Sequence, residues 1–147
     1  MRLRFASALA VTAAACTSHP GAQAALRRTL ESHYAQTRVN VSFMRNSSHL
    51  NLLLDGSPFR QTPDSELTSK ALDLARFALA AYSSAAQLES LTVRFVRFVP
   101  RAGESYCFAR STTFRVRSQA SSPDSALSFA GQNINHGPCY LDPTLTP

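Results

Sequence analysis

The stretch Arg38–Leu54, RVNVSFMRNSSHLNLLL, decides the fold. Val39, Val41 and Phe43 alternate with Asn40 and Ser42; Leu50, Leu52 and Leu54 then alternate with His49 and Asn51. Side chains along a strand point to opposite faces in turn, so each run presents one apolar and one polar face. The segment between them, Arg45-Asn46-Ser47-Ser48, is short, polar and aperiodic. Two alternating runs joined this way predict an antiparallel hairpin with one buried face. Asp55-Gly56-Ser57-Pro58 ends it with turn chemistry.

The period changes to 3.6 on both sides of the hairpin. Upstream, Leu26, Leu30 and Tyr34 recur at i, i+4, i+8 and predict a helix over about 24–36. Downstream, Leu67, Ala71, Leu74, Ala78, Tyr82 and Ala85 form an apolar stripe, with Lys70, Asp73 and Arg76 opposite. Thr62 is placed to cap that helix and Pro63 to open it, and Asp64 and Glu66 suit the positive end of its dipole. So many alanines on one stripe predict a helix lying close against a sheet.

Two more strands follow. Leu91, Val93, Phe95 and Val99 alternate with Thr92 and Arg94, while Tyr106, Phe108, Phe114 and Val116 share a parity opposite to Cys107, Ala109 and Arg115. The expected fold is α+β: two αββ units over 24–117 forming an antiparallel four-stranded sheet with both helices on one face. From Ser118 to Pro147 the chain is rich in Ser, Pro, Gly and Asn and lacks a sustained period, so an irregular tail is expected.

The amino terminus carries an address. Arg2 and Arg4 precede the apolar run Phe5–Ala15, the pattern of a signal peptide over 1–15. Ala13-Ala14-Ala15-Cys16 resembles the lipobox of bacterial lipoproteins, with Ala13 where that pattern usually has leucine. The resemblance implies cleavage before Cys16, a diacylglyceryl group on its sulfur, and a polar linker over 16–23. Ala22-Gln23-Ala24 offers a rival site for ordinary signal peptidase, after which the chain would be released without lipid. Both routes remain open at this point.

Cysteine usage follows from export. With Cys16 lipidated or removed, Cys107 and Cys139 are left to pair, and an oxidising envelope favours a disulfide between them. Such a bond would tether the tail to the last hairpin and contribute about 3–4 kcal/mol by loop closure.

The 147 residues carry fifteen basic and nine acidic groups; without Arg2 and Arg4 the balance falls from +6 to +4. Arg94, Arg97, Arg110, Arg115 and Arg117 gather on the last hairpin, a pattern that suits a polyanion as well as a solvated surface. No G-x-S-x-G, H-E-x-x-H, paired carboxylates or phosphate-cradling glycine loop occurs. His136 and Cys139 have chelating spacing, but His33 and His49 lie far away in sequence, so no metal site or cofactor is expected.

The sequence therefore reads as a small exported envelope lipoprotein carrying a non-catalytic binding domain. Its expected partners are a membrane, through the lipid on Cys16, and a protein of the envelope; nucleic acid is not expected outside the cytoplasm. The alternative is a secreted protein without lipid, acting as a hydrolase or a polyanion-binding module.

Overall fold

A computed structural model describes residues 19–35, 37–46, 48–56, 59, 62–101, 104–117 and 125–138. Helix α1 (His19–His33) leads into strands β1 (Thr37–Met44) and β2 (His49–Gly56). Helix α2 (Asp64–Ala81) and a short 3-10 turn (Ala85–Gln87) connect to β3 (Ser90–Arg101), followed by β4 (Glu104–Val116) and β5 (Leu127–Pro138). The five strands form one sheet in sequence order.

The predicted hairpin is present, with Val39 opposite Leu54 and Val41 opposite Leu52. The expected sheet is corrected in two respects. First, β2 and β3 run parallel, with Leu52 beside Val93, so the sheet is mixed. The reason is α2: a strand followed by one crossing helix re-enters the sheet from the end where it started, and the next strand is parallel. Second, the sheet has five strands, because part of the expected tail, Leu127–Pro138, pairs antiparallel with β4. That segment is attached by a ladder of backbone hydrogen bonds. No disulfide is found among the described residues; Cys139 lies outside them, as does the side chain of Cys107.

The β5 pattern is broken because a register shift falls between Thr113 and Phe114: Thr113 faces Gly131 while Phe114 faces Phe129, leaving Ala130 as an extra residue. A bulge of this kind inverts the parity of everything beyond it.

Both helices pack on one face. Leu26 and Leu30 of α1 and Leu67, Ala71, Leu74, Ala75 and Ala78 of α2 join Val39, Val41, Leu50, Leu52, Leu54, Leu91, Val93, Phe95 and Phe114 in a single core. Three fully buried alanines on α2 leave little side-chain thickness between helix and sheet. Pro63 occupies the N-cap position of α2, and Thr62, expected as the cap, is buried one residue before it.

Helix α1 begins at His19, ahead of the expected start at Ala24, with Pro20 in the first turn, where the missing amide has no helical partner to lose. Its amino end lies beside the middle of β1: the side-chain amide of Gln23 donates to the carbonyl of Val41. Its carboxy end turns into β1 through Tyr34, whose carbonyl accepts the Thr37 amide. Helix α1 therefore runs back along β1, and His19 lies toward the Met44 end of the sheet. Among the described residues no helix is long and apolar enough to cross a membrane.

Candidate functional site

The face of the sheet opposite the helices is largely polar toward the Met44 end, while Leu53, Val96 and Ala109 on the same face are buried, and the strand register places its residues in rows. One row runs Met44, His49, Ser90, Arg115, Ser128 across all five strands. The next runs Ser42, Asn51, Thr92, Thr113, Gly131, and the third Asn40, Leu53, Arg94, Ser111, Asn133. Of these fifteen positions nine carry a hydroxyl or amide, two are arginine, one is histidine and none is acidic. A Cβ added at Gly131 would meet nothing within 4 Å, so this face is open there.

Side chains within the rows bond to one another. His49 Nδ1 lies 2.5 Å from Ser90 Oγ, and its Nε2 lies 3.2 Å from Thr92 Oγ1. Thr92 Oγ1 is in turn 2.8 Å from Thr113 Oγ1, and Arg94 Nε donates to Ser111 Oγ at 3.0 Å. Burial, and after it the charge of Arg45, holds the His49 pKa below its ordinary value. A neutral imidazole has one N–H and one lone pair, so one neighbouring hydroxyl accepts from it and the other donates to it.

These bonds fix the His49, Ser90, Thr92 and Thr113 side chains to one another across β2, β3 and β4. A serine nucleophile needs a base that is itself oriented, usually by a carboxylate. Here both ring nitrogens of His49 are taken by hydroxyls, and the nearby Glu89 accepts a bond from Ser48 Oγ at 3.2 Å. Among the described residues no group of three His, Cys, Asp or Glu side chains could hold a metal.

A cleft of about 480 Å³ opens at the end of the sheet where β4 finishes, bordered by Gln87, Glu89, Arg115, Arg117 and Ser128. Arg115 and Arg117 are exposed and two residues apart, and neither makes an ion pair with a described residue.

The residues singled out by sequence are only partly within view. Cys16 and Cys139 lie outside the described residues, and Cys107 is placed on β4 opposite Gly137. Of the arginines on the last hairpin, Arg94 and Arg115 share the open face. Arg110 turns to the helix side, where it donates to the Asp64 carbonyl and, at 3.5 Å, to Gln132 Oε1. The linked His49, Ser90, Thr92 and Thr113 were not anticipated as a group. Their shared polar parity was visible, but only the parallel β2–β3 pairing brings His49 beside Ser90 and Thr92. Comparison with family models, curated proteins and solved structures returned no match.

Proposed function

We propose that this protein is a small exported lipoprotein, tethered to an envelope membrane through Cys16, whose folded domain is a non-catalytic binding module offering the sheet face opposite α1 and α2. The observation that supports the tether is the start of α1 at His19. Cleavage after Ala24 would remove the first six residues of that helix, including Gln23, which bonds β1, and Ala22, which packs against the core. Cleavage before Cys16 leaves α1 whole.

Intact mass of the mature protein tests the reading, together with fractionation of the wild type and of Cys16→Ser. The expected result is a diacylated chain beginning at Cys16, found with the membranes, and a variant that is soluble or unprocessed. Acyl chains bind at about 0.8 kcal/mol per buried methylene, so partition should be nearly complete. A mature amino terminus at Ala25, or wild type wholly in the soluble fraction, would refute it.

A further inference from the structure

The start of α1 and three arginines that make no ion pair with a described residue, Arg45, Arg115 and Arg117, lie at the same end of the domain. Gln23 is fixed beside Val41, and the four residues back to His19 add about 6 Å of helix. That brings the start of α1 level with the last residues of β1, Phe43 and Met44. Three residues separate His19 from Cys16 inclusive of the cysteine, a span of at most about 10 Å. At this end the β1–β2 turn carries Arg45, and Met44 beside it is 56% exposed. The register carries the same level across the sheet through His49 and Ser90 to Arg115, with Arg117 just beyond. Among the described residues, three exposed arginines thus meet one exposed carboxylate, Glu89, which accepts a bond from Ser48 Oγ.

We propose that this end of the domain, Met44, Arg45 and the Arg115–Arg117 cleft, docks on the phosphate headgroups of anionic phospholipids in the membrane that holds the anchor. The inference rests on the tethered reading for its geometry. One lipid modification is strengthened by a basic patch, and each arginine close to an anionic surface contributes within a Debye length of about 10 Å. The reach from Cys16 is of that order. Exposed Met44 among the arginines favours a lipid surface over a soluble acidic polymer, because it offers apolar contact between headgroups. No phenylalanine, tyrosine or tryptophan occurs among the fifteen positions of the three rows, and their one ring, His49, is held by Ser90 and Thr92, so these positions offer little for nucleic acid or sugar rings to stack on.

The test is vesicle co-sedimentation of the mature chain from position 16 onward carrying Cys16→Ser, which contains every described core residue and has no acyl chain. Vesicles of phosphatidylcholine alone are compared with vesicles containing about a third phosphatidylglycerol. The expected result is salt-sensitive binding to the anionic vesicles only. Arg117→Gln, Arg115→Gln and Arg45→Gln should each weaken it about fivefold and the triple variant about a hundredfold, while Lys70→Gln on α2 leaves it within twofold. Circular dichroism of each variant checks that it is folded, and the single variants carry the test if the triple one is not. Equal binding to both vesicle types, or losses no greater than that of Lys70→Gln, would overturn the proposal. So would binding of a soluble sulfated glycan through the same arginines with no vesicle binding. Because this chain lacks the lipid, its result is separate from the fractionation of the wild type, which tests the tether.

Discussion

The side-chain amide of Gln23 donates to the main-chain carbonyl of Val41, so a residue of α1 satisfies a group on the outer rim of β1. Among the described residues strand β1 has a strand neighbour on one side only, and an unpaired carbonyl there is costly once covered by a helix. Gln23→Ala should lower the unfolding free energy by about 0.5–1.5 kcal/mol in urea titration. Removing all residues before Ala25 should cost more, because Ala22 and the first turns of α1 leave with it.

His49 makes stability depend on pH. Its folded pKa lies below the ordinary 6.5, so an unfolded chain binds a proton at a higher pH than the folded one. The contribution is complete above 6.5 and is lost as the pH falls from there through the folded value. The urea midpoint should therefore fall on acidification across this window, and His49→Asn should flatten that part of the profile.

Thr37 opens β1 with a buried hydroxyl that has no hydrogen-bond partner among the described residues. Replacing an unsatisfied buried polar group with an apolar one of similar shape removes a desolvation cost. Thr37→Val is expected to raise the thermal midpoint, with a gain of up to about 1 kcal/mol at equilibrium.

Ala78 is fully buried where α2 meets the sheet, while Ala80 is exposed on the same helix. Ala78→Leu should cost about 1–3 kcal/mol through overpacking. Ala80→Leu should change stability by less than about 0.5 kcal/mol. Parallel denaturation curves of the two variants make the comparison.

Strand β5 is held by its ladder with β4 over Leu127–Pro138. Cys139→Ser should accordingly leave amide exchange across 127–134 slow, as followed by hydrogen–deuterium exchange. Loss of protection along that whole segment would mean that the backbone pairing is insufficient.

The hairpin and both helices were legible because each buries one face: Val39, Val41, Leu50, Leu52 and Leu54 alternate, and Leu67, Ala71, Leu74 and Ala78 recur at helical spacing. Strand direction was not legible in that way, since Leu91 and Val93 alternate identically whether β3 lies parallel or antiparallel to β2. The long α2 crossover was the available clue to a parallel pair. Strand β5 was hidden for two physical reasons. Ala130 interrupts its period, and Phe129 and Ile134, though on the helix side, are 61% and 51% exposed and so leave no burial signature. The open polar rows were visible as parity, but a row is a property of register across five strands.

The two rims of the sheet are guarded unequally. Gln23 closes part of one, whereas β5, LSFAGQNINHGP, pairs only with β4 among the described residues and holds no Asp, Glu, Lys or Arg. Long neutral edge strands template further strands, and proteins commonly blunt them with lysine or proline. For a chain held in a membrane the neighbours on this rim are few and confined to a plane. In concentrated solution the chain carrying Cys16→Ser meets itself from every direction, so β5 is the rim expected to limit its solubility, and a single Asn133→Lys should raise it.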